Sequence, residues 1–235
     1  MRPRGARIGA FLRAPVAGSP LVRLLGEWFP ADAASSGMDF AERLSLWLGA
    51  FDAIALQATH QAVRAMAAPA PAQPAGRAAA RVSPAQDLQR VRGLLARAIA
   101  QPVAPPEEGG HGFVPYAERH LELQRQMDLA IPPLRAHVRE VASRQSARLR
   151  QLAAMDAAME QVLAARGPAL LAKLPAWLKR RFEQLRASAA GDEDKDWLQA
   201  FDREWRQALL AELEVRLAPV AGLVEAAADE GDDTR

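Results

Sequence analysis

The sequence predicts an all-α fold, an irregular bundle of about six or seven helices. Apolar residues recur at spacings of three and four along most of the 235-residue chain, which places them on one face of successive helices. No stretch alternates strictly between apolar and polar residues, and β-branched residues are sparse, so no strand is predicted. Proline- and glycine-rich stretches separate the helical segments. These patterns together predict helices held by pairwise packing.

The N-terminal segment, residues 1–18, is basic and is predicted to be a flexible arm. Its apolar run from Ile8 to Leu12 is too short for a secretory signal. Residues 19–66 are predicted to form a helical hairpin. Its first helix begins with Ser19 as the N-cap and Pro20 at the first helical position.

The second helix of this hairpin, from Asp39 to Ala67, is the most apolar segment, and we expect the bundle to be organised around it. Asp39 and Glu42 form a capping box at its start. Its apolar face comprises Phe40, Leu44, Trp47, Phe51, Ile54 and Ala58. The length would also suit a membrane span, but Asp52 near the middle favours a buried core helix. Trp47 is predicted to lie inside the bundle, with an exposed anchor for a partner as the alternative.

Asp52 is a carboxylate on this apolar helix, and such a charge is costly to bury alone. We expect it to form an ion pair or a hydrogen bond with an arginine of another helix. A role in proton handling is the alternative interpretation.

The rest of the chain is a helical bundle bounded by two segments that lack large apolar residues. Residues 67–82 are a Pro/Ala-rich linker, and residues 228–235 form an acidic tail that is predicted to be a solvated arm. Residues 83–227 are predicted to form the bundle and to pack with the N-terminal hairpin. Ser83 and Gln86 mark the start of its first helix.

The longest helical tract runs from about Val114 to Ala165. Its apolar stripe approximates a heptad repeat and comprises Met127, Ile131, Leu134, Val138, Val141, Leu149, Leu152, Met159 and Val162. Pro132 and Pro133 are predicted to kink or break this tract, because proline removes a backbone donor and clashes with the preceding turn. Pro219 is predicted to end or bend the last long helix, whose inner face includes Val215.

Composition and motifs offer no legible active site. The chain has no cysteine, which excludes disulfide and thiolate chemistry and fits the cytoplasm. Its net charge is +2. The four histidines form no helical metal-binding pair, and His137 with Glu140 is interpreted as a surface pair. No phosphate-binding glycine loop or nucleophile motif is present. We therefore predict no catalytic residue, no cofactor and no metal site.

A short basic run, Lys179, Arg180 and Arg181, is the other candidate interaction site. Further arginines lie on the long tract at positions 144, 148 and 150. Arginine on helix faces binds phosphates, so contact with DNA is kept as an alternative. Interspersed acids and the absence of an aromatic ladder make a solvated face the preferred interpretation.

Several segments together resemble an uncharacterised proteobacterial family that is known only as a domain of unknown function. They are Pro20–Trp28, Phe40–Leu56, Tyr116–Leu134, Leu170–Arg186 and Ala208–Ala226. The resemblance implies a genetic neighbourhood: members accompany a proton-channel subunit like those of flagellar stators and an OmpA-like peptidoglycan-binding protein. That set is classed as the type III form of the Zorya antiphage defence system, in which this family is an accessory. The resemblance supplies no catalytic residues.

We therefore expect a cytoplasmic, non-enzymatic accessory or adaptor protein that binds other proteins, at or near an inner-membrane ion-driven complex. Homo-oligomerisation is left open. A DNA-associated effector or sensor that uses arginine-rich helix faces is the alternative. An enzyme with a site assembled from scattered residues is the third hypothesis.

Overall fold

A computed structural model of the chain describes residues 19–29, 50–65, 83–103, 112–164, 166–189 and 196–233. Within these ranges the secondary structure is helical and contains no strand, which confirms the predicted all-α irregular bundle. Seven of the described helices have nine residues or more, and an eighth has six. The N-terminal arm, Trp47, the whole predicted linker and residues 104–111 lie outside the described residues.

The helices follow one another as α1 Pro20–Trp28, α2 Ala50–Ala65, α3 Pro84–Ala100, α4 Val114–Gln145, α5 Ala147–Leu163, α6 Arg166–Leu171, α7 Leu174–Ser188 and α8 Asp196–Asp233. The predicted start of α3 is confirmed, because Ser83 and Gln86 form a capping box. The Gln86 amide N–H donates to the Ser83 hydroxyl, and the Ser83 amide N–H donates to the Gln86 side-chain oxygen.

Helix α8 is the centre of the bundle. It packs against α1, α3, α4, α5 and α7. Its inward side chains are at most 3% exposed and comprise Phe201, Trp205, Ala208, Leu209, Leu213, Leu217, Val220 and Leu223. This continuous apolar stripe supplies the largest hydrophobic surface in the described part of the chain, so the neighbouring helices collect around it.

The expectation that the bundle is organised around the helix Asp39–Ala67 is wrong for the part that the structure describes. Helix α2 packs on α5 at the periphery. Ile54, which was predicted to face the core, is 64% exposed, and Val63 is the buried apolar residue among the α2 side chains that the structure describes. On the inner face of α2, the described side chains are Asp52, Leu56, Thr59 and Val63, which present less large apolar surface than the inner face of α8.

Of the predicted alternatives, a break at Pro132 and Pro133 and a helix end at Pro219 are wrong. Helix α4 continues through Pro132 and Pro133, and α8 continues through Pro219 as far as Asp233. Each proline lacks the amide N–H that would donate to the carbonyl four residues earlier in the helix. For Pro132, Pro133 and Pro219 these carbonyls belong to Asp128, Leu129 and Val215. All three of these residues are on the solvent side, where a carbonyl without a helical donor is not cut off from water.

The long tract breaks instead at Ser146, which has extended backbone between α4 and α5. Its hydroxyl accepts a hydrogen bond from the Leu149 amide at 3.1 Å and so caps α5. The break changes the orientation of the predicted heptad stripe. Its first four residues, Met127 to Val138, are buried as predicted, whereas Leu152 and Met159 beyond the break are exposed.

The structure also differs from the domain organisation that the sequence predicted for the N-terminal hairpin and the acidic tail. Residues 228–233, assigned to an acidic arm, are the last turns of α8. The two described helices of the proposed hairpin have different partners, since α1 packs on α8 and α2 packs on α5. Among the described helices, none has both the length and the apolar character that crossing a membrane requires.

Candidate functional site

The most prominent surface feature is a row of exposed apolar side chains on α5, which we call the α5 stripe. It comprises Leu152, Met155, Met159 and Leu163, which are between 36% and 45% exposed. Their spacings of three and four place them on one face of the helix. An aligned set of large apolar side chains in contact with water is costly, and such rows are typical of surfaces that bind another protein.

The stripe is exposed because a different face of α5 packs on α4, and ion pairs form part of that contact. Arg135 donates two hydrogen bonds to the Asp156 carboxylate, at 2.8 and 2.6 Å. Arg139 lies 2.6 Å from Glu160. Burial alone would lower the pKa of Arg135, but the hydrogen bond and the charges of Asp156 and Glu160 raise it above its usual value. These pairs fix the rotation of α5 and hence the direction in which the stripe points.

Asp52 has the partner type that the sequence predicted. The Arg166 guanidinium of α6 donates to the Asp52 carboxylate at 2.7 Å. At the other end of α2, the Gln151 side chain donates to the Val63 carbonyl at 3.1 Å. These two contacts, at opposite ends of α2, place α2 antiparallel to α5. Asp52 therefore holds α2 in place, and both side chains of its ion pair are partly exposed.

The basic run of α7 is engaged within the molecule. Arg181 forms a two-bond ion pair with Glu204 of α8, with distances of 2.7 and 2.8 Å. The guanidinium of Arg180 lies 4.6 Å from the centre of the Phe29 ring, a favourable cation–π arrangement. Lys179 lies 3.9 Å from Glu183 on the same helix. The three residues therefore do not form one free cationic patch.

A buried polar cluster that the sequence interpretation missed joins α4 to α8. Glu212 and His120 are fully buried, and the Glu212 carboxylate lies 3.5 Å from Nε2 of His120. Gln124 donates to Glu212 at 3.0 Å and Arg216 donates to it at 2.8 Å. Arg216 also donates to Asp128 at 2.6 Å, which carries the cluster outward to solvent.

The electrostatics of this cluster keep Glu212 ionised. Burial by itself would raise the pKa of Glu212, but the nearby His120 ring, the charge of Arg216 and the hydrogen bond from Gln124 outweigh it and lower the pKa. An ionised carboxylate with these three partners fixes the register between α4 and α8, because sliding either helix by one turn would leave a buried charge unpaired.

A weak signal of this cluster is present in the sequence. His120, Gln124 and Asp128 are spaced by four, so they share a face of α4. Glu212 and Arg216 are also spaced by four, in the otherwise apolar face of α8. Each set alone resembles an ordinary surface pair, and only the packing of α4 on α8 brings residues 88 positions apart into contact.

The described residues contain no group of side chains arranged to hold a metal ion. A groove of about 700 Å³ lies between the start of α3 and the end of α4. It is lined by Asp87, His137, Glu140 and Arg144 among others. His137 lies 3.7 Å from Asp87, and Glu140 forms an ion pair with Arg144. The groove therefore holds charges that are already paired at the surface.

Comparison with family models gives a match that spans most of the chain. A family model described as a protein of unknown function (DUF3348) matches residues 10–229. No curated protein and no solved structure matches the chain. The match covers nearly the whole sequence, and the chain therefore belongs to the DUF3348 family of proteins of unknown function.

Proposed function

We propose that this protein is a non-enzymatic helical adaptor in antiphage defence, acting in the cytoplasm beside a stator-like proton channel and its OmpA-like envelope partner. The family resemblance supports this setting. The α5 stripe is the observation that supports a protein-binding role, because it presents four large apolar side chains in one row. Methionine suits such a surface, since its flexible thioether adapts to the shape of a partner.

The helix-in-groove mode of recognition fits the geometry of the stripe. Apolar side chains at Leu152, Met155, Met159 and Leu163 follow the three- and four-residue spacing by which one helix docks against another. The ion pairs of Arg135 and Arg139 beneath α5 hold the stripe in a fixed orientation. A preorganised surface loses less conformational freedom on binding.

The alternative, DNA binding through arginine-rich faces, receives less support. Two of the arginines that the sequence offered for phosphate contact are paired with carboxylates, in the pairs Arg144–Glu140 and Arg181–Glu204. Arg166 and Arg216 form further pairs of this kind, with Asp52 and Asp128. Each pair would have to be broken or shared before its guanidinium could bind a phosphate, which offsets the gain from the phosphate contact.

The test is copurification of the tagged protein with the channel subunit and the OmpA-like protein, expressed together from the native gene neighbourhood, with and without phage. We expect wild type to retain the channel subunit, and the double variant Met155→Glu with Met159→Glu to lose it. A charge placed in an apolar interface is not compensated when the partner covers it.

Leu129→Glu is the matched control, because Leu129 is 78% exposed on α4 and lies outside the stripe. We expect this variant to retain the partner and the defence phenotype. Equal retention by the stripe variant would contradict the proposal. Salt-sensitive binding of duplex DNA by both variants and wild type, without any channel subunit, would favour the alternative.

A further inference from the structure

Two methionines lie next to each other in the middle of the α5 stripe. Met155 is 45% exposed and Met159 is 37% exposed. A spacing of four residues places their side chains about one turn apart on the same face of the helix. Leu152 and Leu163 flank them at the two ends of the stripe. The centre of this apolar row therefore consists of two thioether side chains that are in contact with solvent.

Methionine carries all of the sulfur in this chain, which has six methionines and no cysteine. No thiolate therefore competes for a mild oxidant, and the thioethers are the sulfur groups that it can attack. A dissolved oxidant must touch the sulfur, so a buried thioether reacts only after local opening. Met127 is fully buried in the core cluster around α8. Exposure thus separates Met155 and Met159 from Met127, which serves as an internal reference.

The reaction of each thioether with a peroxide is a transfer of one oxygen atom and two electrons. The sulfur lone pair attacks one oxygen of hydrogen peroxide, so that an S–O bond forms and the O–O bond breaks. The sulfur is oxidised and the peroxide is reduced. The departing hydroxide takes the proton of the transferred oxygen and leaves as water. The product, methionine sulfoxide, is polar where the thioether was apolar.

A sulfoxide at these two positions changes the surface and not the core. Neither Met155 nor Met159 belongs to the core cluster, so in the free protein the added oxygens stay in contact with water. A protein that covers the stripe would remove this water from two polar S–O groups, which is costly unless hydrogen-bond donors replace it. Oxidation therefore weakens binding at the stripe while the bundle stays folded.

We propose that Met155 and Met159 form a methionine-oxidation site, at which a peroxide turns the centre of the α5 stripe from apolar to polar and releases the protein bound there. The site itself is inferred from the exposure of the two side chains and from the sulfur content of the chain. The release rests on the proposed function, which places the channel subunit on the same stripe.

The site is tested by treating the purified full chain with hydrogen peroxide and following each methionine by peptide mapping and mass spectrometry. We expect sulfoxide to form at Met155 and Met159 at least about tenfold faster than at Met127, because the buried sulfur has to wait for local opening. Helicity measured by circular dichroism should not change. Equal rates at the three residues, or a loss of helicity as the two exposed residues react, would overturn the proposal.

The double variant Met155→Leu with Met159→Leu is the matched control, since it keeps side chains of similar volume but has no thioether in the stripe. Peroxide should lower the retention of wild type on a hydrophobic-interaction column and leave the retention of this variant at its own untreated value. Methionine sulfoxide reductases A and B, with a dithiol as the reductant, should restore the retention of wild type. An equal fall in both proteins, or a fall that the reductases do not reverse, would contradict the proposal.

Release is tested by comparing treated with untreated protein in copurification with the channel subunit. Oxidised wild type should retain at least about tenfold less channel subunit than untreated wild type, because polar groups are buried without partners. The leucine variant should give the same result before and after peroxide. Unchanged retention by wild type that carries both sulfoxides would overturn the release. Failure of untreated wild type to retain the channel subunit would instead overturn the adaptor proposal and the release with it, and the mapping and column results would still decide the oxidation site.

Discussion

The helices around α8 and the helices around α5 are held together by different physical forces. Around α8, aromatic and aliphatic side chains from α1, α3, α4 and α7 form one continuous buried cluster. Around α5, the buried apolar residues with described side chains are Val63, Ala142, Leu149 and Ala153, which lie outside that cluster. There, ion pairs such as Arg135–Asp156 and Arg166–Asp52 add to the contacts.

The comparison assigns most of the stability of the fold to the α8 core, whereas the proposed binding surface lies on α5. Buried apolar area supplies most of the free energy of folding, whereas ion pairs that are partly exposed contribute little energy but set orientation. Packing α5 with ion pairs leaves its apolar side chains in contact with solvent. The α5 region can therefore lose or rearrange a contact at a smaller cost in stability than the α8 core.

The largest expected effect is that of Trp205→Ala in the α8 core. Trp205 is fully buried and its ring meets that of Tyr116 edge-on. We expect a loss of about 3–5 kcal/mol in the free energy of unfolding, measured by urea denaturation. Met155→Ala on the α5 stripe is the contrasting control and should cost less than about 1 kcal/mol. Equal losses in the two variants would erase the distinction between the two regions.

Next in size is Glu212→Gln, which leaves Arg216 without its buried carboxylate partner. We expect a loss of about 2–3 kcal/mol at neutral pH. Because the folded-state pKa of Glu212 is lowered, its ionised form stabilises the fold above the ordinary carboxyl pKa, and this contribution is lost as the pH falls through the folded-state pKa. The free energy of unfolding, measured by urea denaturation, should therefore fall less between pH 6 and about pH 3 in the variant than in wild type.

Glu214→Gln is the control for this second prediction, since Glu214 lies on the same helix and its ion pair with Arg92 is exposed. It should change stability by less than about 0.5 kcal/mol and leave the pH dependence as it is in wild type. An acid profile of Glu212→Gln identical to that of wild type would show that Glu212 is not the group whose ionisation matters.

Asp156→Asn tests the ionic contact between α4 and α5. We expect a loss of about 1–2 kcal/mol, because Arg135 and Arg139 keep Glu160 as a second partner. A double-mutant cycle with Arg135→Gln should give a coupling of about 1 kcal/mol that shrinks in high salt. A coupling that does not respond to salt, or a loss as large as that of Trp205→Ala, would mean that apolar packing, as in the α8 core, dominates the contact between α4 and α5.

The smallest effect at neutral pH is that of Tyr116→Phe, which should cost less than about 1 kcal/mol. Burial, together with the charge of Asp202, raises the pKa of Tyr116 to about 12. The protonated phenol therefore stabilises the fold below the unfolded-state pKa near 10, and this contribution is lost as the pH rises through about 12. Because Tyr116 is the sole tyrosine, the tyrosinate absorbance reports its titration directly. A midpoint near 10 in the folded protein would contradict this prediction.

Local patterns predicted much of the fold and little of the candidate site. The capping box of Ser83 and Gln86 gave the start of α3, and the spacing from Met127 to Val138 gave the buried face of α4. The exposure of Leu152 and Met159 was not predicted, because it depends on the break at Ser146. The partner type of Asp52 was anticipated from the cost of burying a charge, but Arg166 itself was not identified.

The sequence by itself determined that the chain is helical and which face of most helices is apolar, because the helical period and the caps act over a few residues. The tertiary structure decided that α8 rather than α2 lies at the centre of the described bundle, since that choice depends on how each helix packs against its neighbours. It also brought His120 to Glu212, because contacts between distant residues follow from how the helices pack.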